Sequence, residues 1–195
     1  MNRRPQPTPL ASLALLALLA LCALAAPAGE PAASPTASLY QLKAPLTAQD
    51  GRAIGLDVYR GQPVLVTMFY SGCQATCPLI IDTLRAVEKK LPADQQKNLR
   101  VLLVSLDAER DTPQVLAATA RERRVDTSRW TLAHADERTV RQIAAALGLQ
   151  YRKLPGGDFN HASQISVLDA QGRILAQSDQ LGRVDDRLLA ALARR

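Results

Sequence analysis

The chain has 195 residues, carries 24 basic against 18 acidic side chains for a formal net charge of +6, and is 47% hydrophobic. This length is typical of one compact domain behind a short leader, and it suffices to bury a core without disulfide support. The basic residues are scattered and are not interleaved with aromatic ones, which argues against a nucleic-acid partner.

The amino terminus has the pattern of an export signal. Met1–Arg4 is basic, and Leu10–Ala26 is an uncharged apolar run, so the two read as an n-region and an h-region. We predict a signal peptide over residues 1–26, cleaved after Ala25 or Ala28. An uncleaved membrane tether through residues 10–26 is the alternative, because the run is at the lower limit of what spans a bilayer. Either alternative predicts an exported protein, in the periplasm or on the outer face of the cytoplasmic membrane.

The segment after the leader divides a linker from the domain. Residues 27–38 are small, proline-rich and without periodicity, which predicts a flexible linker and leaves a folded domain over residues 39–195. One of the three cysteines, Cys22, lies in the predicted leader, so the exported chain keeps Cys73 and Cys77. In an oxidising compartment, two nearby thiols are typically bridged or held by a metal.

The first half of the domain alternates strand-like and helix-like patterns. The run PVLVTMFY is continuously apolar and predicts a strand buried on both faces. Apolar residues then recur at spacings of three and four, the stripe of one helix face. The elements predicted here are short strands at 39–43 and 46–47, a turn at 49–51, a returning strand at 54–56, a buried strand at 63–70 and a helix over 78–91.

The second half continues the alternation and ends in a hairpin and a helix. Its predicted elements are a buried strand at 100–106, a capped helix over 113–124, a short strand at 130–132, a helix from Asp136 to Gly148, an extended segment at 149–152, a loop at 154–162, a hairpin of strands 164–168 and 173–177, and a helix over 184–193. This order predicts an α/β fold with a central mixed sheet, flanking helices and an N-terminal β-hairpin. A cysteine pair where a buried strand enters a helix makes the fold thioredoxin-like.

The two cysteines stand four residues apart, in the order Cys73-x-x-x-Cys77. If the segment is helical, both thiols lie on one face about 6 Å apart, which is long for a disulfide but suits convergence on a metal ion. The helix N-terminus favours thiolates, which helps both metal binding and redox exchange. Thiolates prefer copper(I) or zinc, and an added imidazole suits copper.

Two histidines could supply that imidazole. His161 lies in the predicted loop before strand 164–168, which in this fold faces the cysteine-bearing turn. His134 is expected to be an ordinary surface or helix-preceding residue. Two cysteines and two histidines are enough for a Cys2His2 zinc site. Three ligands and one vacant coordination position, however, suit a site that must release its ion. Spacing alone does not assign His161 as a ligand.

The chain resembles the SCO/SenC family in four segments, which occur in the family's order: VTMFYSGCQATCPLI, VSLDAERDTPQVLAATA, LGLQY and FNHASQISVLDAQGRI. The resemblance implies a copper chaperone for cytochrome c oxidase assembly, with Cys73, Cys77 and His161 as ligands of one copper ion per chain, as copper(I), copper(II) or both. It also implies a redox-active pair, and we expect oxidation to form a Cys73–Cys77 disulfide.

Three functions compete on these residues. The leading hypothesis is a metallochaperone, not an enzyme, that delivers copper to a partner such as a cytochrome c oxidase subunit. The alternative is a thiol-disulfide oxidoreductase that keeps the cysteines of an exchange partner reduced for metallation. A peroxidase is disfavoured because the T-x-x-C pattern is absent before Cys73. We expect Asp107 to end a strand and Asp111 to cap a helix, with a role beside the copper site as the alternative, and Tyr70 and Phe159 to shield the ion.

Overall fold

The computed structural model describes residues 38–73 and 76–193. The predicted leader over residues 1–26 and nearly all of the predicted linker over 27–38 lie outside these residues, so both stay predictions. Within the described part of the chain, no helix is both long enough and apolar enough to cross a membrane.

A seven-stranded mixed sheet forms the centre of the fold, in the order β2-β1-β5-β4-β3-β8-β9, and a separate two-stranded sheet pairs β6 with β7. The strands β3, β4 and β5 are parallel, whereas the pairs at either side are antiparallel. The strands are β1 (Leu46–Ala48), β2 (Ala53–Ile54), β3 (Val64–Phe69), β4 (Arg100–Ser105), β5 (Trp130–His134), β6 (Tyr151–Lys153), β7 (Phe159–His161), β8 (Ile165–Leu168) and β9 (Ile174–Ser178).

Five α-helices accompany the sheet in the described residues: α1 (Thr76–Lys90), α2 (Ala93–Asn98), α3 (Pro113–Glu122), α4 (Glu137–Ala146) and α5 (Asp186–Ala193). Two short 3-10 helices, Leu39–Gln41 and Leu56–Tyr59, flank the β1–β2 hairpin.

The core forms where the sequence is most continuously apolar. Every residue of β3 is buried, and β4 is buried from its second residue onward, as expected for central strands covered on both faces. The stripe Ile80, Leu84 and Val87 of α1 is fully buried against this sheet. The predicted mixed sheet with flanking helices and an N-terminal hairpin is thus confirmed.

Some predicted elements were wrong in kind or extent. Residues 39–43 do not form a strand. Ser38 accepts a hydrogen bond from the Tyr40 amide, and the Leu39 amide donates to the Gly172 carbonyl, so the segment closes into a 3-10 turn. The predicted loop at 154–162 contains β7, which pairs with β6. Sequence periodicity also missed the short helix α2.

Candidate metal centre

The cysteine pair lies where β3 leads into α1. A tight turn places the Cys73 amide 3.3 Å from the Tyr70 carbonyl oxygen, and Cys73 itself is not helical, whereas Cys77 belongs to α1. The Cys77 amide then donates to Cys73 Sγ at 3.3 Å. One helix therefore does not contain both cysteines, whereas the predicted separation of about 6 Å assumed a helical segment from Cys73 to Cys77. The N-terminal turn of α1 instead brings them together, and both side chains are buried.

The burial of Cys77 controls its chemistry. Burial raises the pKa of the Cys77 thiol far above its ordinary value, and a hydrogen bond from the Tyr70 backbone only partly opposes this. Cys77 is therefore a neutral thiol at pH 7. A soft metal ion that binds its sulfur must displace the proton, so binding at this position releases one proton.

A cleft of about 380 Å³ separates the cysteine segment from the β6–β7 hairpin. Cys73 lines one wall of the cleft and His161 the other. The remaining lining residues are Tyr70, Gly72, Thr76, Asp158, Phe159 and Asn160. The structure thus brings two of the three predicted ligands to one cleft and places the third, Cys77, against Cys73.

His161 is the last residue of β7 and pairs with Tyr151 across the hairpin. Its Nδ1 atom lies 3.1 Å from the Ala162 carbonyl oxygen. If Nδ1 carries the proton and donates it to that oxygen, the lone pair is on Nε2, the arrangement of a metal-binding imidazole. Burial lowers the pKa of His161 below its ordinary value of 6.5, so the ring is neutral at pH 7. A neutral imidazole is the form that binds metal.

Aromatic rings border the same cleft. The Tyr70 ring centroid lies 5.2 Å from that of Phe159 and 6.0 Å from that of His161, in an edge-on arrangement with the histidine. Burial raises the pKa of the Tyr70 phenol, which therefore stays neutral. Tyr70 and Phe159 thus line the cleft beside His161, and the shielding of an ion by these rings stays a prediction.

Asp111 lies beneath the cysteine turn and is fully buried. Its carboxylate accepts hydrogen bonds from the Ser71 amide at 2.9 Å, from the Ser71 hydroxyl, and from the Ser105 hydroxyl at 2.5 Å. The prediction that Asp111 caps α3 was wrong. Thr112 is the cap, since its side chain accepts from the Val115 amide. Asp111 instead joins Ser71, in the turn after β3, to Ser105, the last residue of β4.

The loop after β4 also contacts the β6–β7 hairpin. Asp107 is buried and accepts hydrogen bonds from the Arg110 amide and guanidinium. The same guanidinium donates to the Gly157 carbonyl at the hairpin tip. Sequence reasoning did not single out Arg110. The only signal was its place in the segment LDAERDTP, since its hairpin partner is 47 positions away.

The remaining histidine is apart from the cleft. His134 ends β5, and its Nδ1 lies 3.1 Å from the Asp111 carbonyl oxygen, which agrees with the expectation of a helix-preceding residue. Among the residues that the structure describes, no three His, Cys, Asp or Glu side chains are close enough to hold a metal ion as they stand. Joint ligation by Cys73, Cys77 and His161 therefore requires the cleft to narrow. The donors themselves, two sulfurs and a neutral imidazole, fit copper.

Known proteins share both the sequence pattern and the fold. The SCO1/SenC family profile matches residues 33–194. The SCO1 protein homolog of Bacillus subtilis (strain 168) is 25% identical over 130 residues, which span 65% of this chain and 67% of that protein.

Two solved structures are similar to this one. ScoI of Bradyrhizobium japonicum, solved with copper bound, has a TM-score of 0.61 and 23% identity over 77% of this chain and 95% of its own. BsSco, described as having a disulfide switch and as a member of the Sco family of cytochrome c oxidase assembly proteins, has a TM-score of 0.65 and 19% identity over 77% of this chain and 92% of its own. At these identities the likeness shows the fold, while the family profile shows the family. The chain belongs to the SCO1/SenC family and has a thioredoxin-like fold.

Proposed function

We propose that this protein is an exported copper metallochaperone that binds one copper ion through Cys73, Cys77 and His161. The observation that carries the proposal is the cleft with Cys73 on one wall and His161 on the other, beside a second thiol whose amide contacts the Cys73 sulfur. Two soft thiolates and an imidazole are a donor set that prefers copper.

The same donors explain how the ion leaves. Copper is the cargo, and three protein ligands leave a coordination position for an incoming donor of the recipient, so transfer proceeds by ligand exchange. Oxidation of the two thiols forms a Cys73–Cys77 bond and releases two protons and two electrons. The electrons reduce the disulfide of an exchange partner to a dithiol. Copper delivery and the redox state of the pair are then coupled.

The family and the predicted leader support a proposed recipient and location. Sco relatives bind copper and act in cytochrome c oxidase assembly. The apolar run over residues 10–26 supports export. We therefore assign the copper site of cytochrome c oxidase as recipient, and the periplasm or the outer face of the cytoplasmic membrane as location.

The decisive experiment removes His161. The variant His161→Ala should bind copper(I) much more weakly in competition with a chromophoric chelator, while mild oxidation should still form the intramolecular Cys73–Cys77 bond. His134→Ala is the matched control, because it removes the other imidazole, and it should keep wild-type affinity. If His161→Ala binds copper and supports oxidase maturation as the wild type does, while cysteine variants fail, copper transfer through this site is not the function.

One observation favours the second candidate, a thiol-disulfide oxidoreductase. The Cys77 amide at the start of α1 donates to Cys73 Sγ, which stabilises negative charge on that sulfur, and Cys73 lines the cleft. Cys73 would then attack the partner disulfide and Cys77 would resolve the mixed disulfide. A Cys77→Ser variant should trap that mixed disulfide if this function operates. The trapping should be measured in cells whose cytochrome c oxidase lacks its copper. If adding His161→Ala to Cys77→Ser leaves the amount of trapped mixed disulfide unchanged, the result favours the reductase.

A further inference from the structure

The β6–β7 hairpin carries His161 but does not belong to the central sheet. Its two strands pair only with each other among the described strands. The ladder of backbone hydrogen bonds that fixes β3, β4 and β8 therefore does not fix the hairpin. Its position depends on side-chain contacts with the rest of the domain, and these contacts decide where His161 lies relative to Cys73.

One polar contact to the hairpin comes from the loop after β4. The Asp107 side chain is only 2% exposed, and it accepts two hydrogen bonds from Arg110. The guanidinium, held by this buried carboxylate, also donates to the Gly157 carbonyl. Gly157 has φ +86°, and a Cβ there would lie 3.1 Å from Arg110 Nη1. The hairpin tip thus has the backbone conformation and the small residue that this close approach needs.

A second contact joins the same two segments but is weaker. Lys153 Nζ lies 2.6 Å from Glu109 Oε2, with 43% and 77% of the two side chains exposed. Exposed pairs of this kind contribute little because water and salt screen them. The bond from Arg110 to the Gly157 carbonyl is also exposed, but Arg110 differs because a buried carboxylate holds its guanidinium in place through a charge-assisted hydrogen bond.

Resting on the function proposed above, we propose that Arg110 is a positioning residue for copper binding: anchored by Asp107, it holds the β6–β7 hairpin so that His161 faces Cys73 across the cleft. Arg110 does not touch the ion and acts through His161. The planar guanidinium suits this role because it reaches the carboxylate and the carbonyl at once with fixed donors, which a lysine ammonium does not.

The first test asks, without copper, whether Arg110 holds the β6–β7 hairpin in place. In the copper-free full chain carrying Cys22→Ser, Arg110→Ala should speed amide hydrogen exchange over residues 151–161 by about tenfold, the effect of losing one charge-assisted hydrogen bond. Exchange in β3 and β4 should stay unchanged. Arg173→Ala is the matched control, because Arg173 is 52% exposed against 49% for Arg110 and also pairs with a largely buried aspartate. It should leave the hairpin unchanged.

The second test asks whether the effect of Arg110 on copper(I) affinity depends on His161. Arg110→Ala should weaken copper(I) binding about tenfold in the wild-type background, the scale of an outer-shell change. In the His161→Ala background it should change the affinity by less than about twofold, because the group that it positions is gone. Arg110→Lys should restore part of the affinity, since its ammonium can contact one partner but not both.

The outcomes separate the two proposals. Unchanged hairpin exchange in Arg110→Ala, or an equal loss of copper affinity in both backgrounds, overturns the positioning role. If Arg110→Ala does not fold, Arg110→Lys and Asp107→Asn must show the same two effects in milder form, and their absence overturns the role as well. If His161→Ala binds copper(I) as tightly as the wild type, the ligand set is refuted, and the role of Arg110 in copper binding with it. Faster hydrogen exchange of the β6–β7 hairpin in Arg110→Ala would then still show that Arg110 holds the hairpin in place.

Discussion

Asp111 and Asp169 lie at opposite ends of the strands of the central sheet, and they form hydrogen bonds with different kinds of partner. Asp111 lies beside Ser71 and Ser105, beyond the carboxyl ends of β3 and β4. Asp169 follows β8, whose last residue pairs with the first residue of β3. Asp169 therefore lies at the opposite end of the strands from Asp111. The Asp111 side chain bonds to residues as distant as 40 positions, whereas the Asp169 side chain accepts hydrogen bonds from Gln171 and Arg173 in its own turn.

The difference separates a local turn from a functional assembly. The Asp169 turn closes β8 onto β9 with donors two and four residues away, so its hydrogen bonds need no other part of the chain. The Asp111 network needs β3 and β4 side by side. Because Ser71 lies between Tyr70 and Gly72, which both line the cleft, this network holds the turn that borders the cleft. Changes at the two ends of the strands should therefore have different consequences for copper.

The largest contrast should come from the cysteines themselves. Cys73→Ser or Cys77→Ser should lose tight copper(I) binding, by more than about 100-fold, since one thiolate and one imidazole make a poor site and an outer-shell change costs only about 10–100-fold. Chelator competition measures this. Asp169→Asn, at the other end of the strands, should keep wild-type affinity. Retained binding in either cysteine variant would contradict the ligand assignment.

Asp111→Ala should be the most destabilising of the aspartate changes. It leaves the Ser71 amide and the Ser71 and Ser105 hydroxyls without their acceptor, which we expect to cost about 2–4 kcal/mol in the free energy of unfolding. Copper affinity should fall as well, because the cysteine turn is no longer held. Urea denaturation of the copper-free protein measures the first effect. Asp111→Asn, which keeps one oxygen acceptor, should lose less, and a loss below about 1 kcal/mol in the alanine variant would refute the network's importance.

Asp169→Asn should have a smaller effect that depends on pH. Burial alone would raise the pKa of Asp169, but the hydrogen bonds and charge of Arg173 and the Gln171 amide outweigh it and hold the pKa below 3.8. With a folded-state pKa below the unfolded value, the carboxylate stabilises the protein above about pH 4, and this contribution is lost as pH falls through the folded pKa. The variant should lose about 1 kcal/mol at pH 7, and the difference from wild type should shrink below pH 4 in acid unfolding curves. A difference that persists at low pH would contradict this origin.

Lys153→Ala should have the smallest effect. Its exposed pair with Glu109 should contribute about 0.5 kcal/mol or less, and added salt should abolish the difference in thermal unfolding. Hairpin exchange should remain close to wild type, in contrast to Arg110→Ala. Equal effects of the two variants would mean that both contacts share the tethering of the β6–β7 hairpin.

The sequence by itself determined the framework and the cysteine pair. Continuous apolar runs predicted β3 and β4 because a strand covered on both faces has no polar side to display. The α1 stripe and Pro113 in the first turn of α3 are equally local signals, although the cap is Thr112 and not the predicted Asp111. The closeness of Cys73 and Cys77 also needs only a helix N-terminus, although Cys73 itself lies outside the helix that contains Cys77.

The tertiary structure alone decided what faces the cysteines. Asp111 read as a helix cap, and its actual donors, Ser71 and Ser105, meet it only because β3 and β4 are parallel neighbours that end at one edge. The β6–β7 hairpin was missed because strands of three residues leave almost no periodicity. His161 reaches the cleft through that hairpin and through contacts such as Arg110 to Gly157. Such contacts depend on the order of strands in space, which spacing along the chain does not encode.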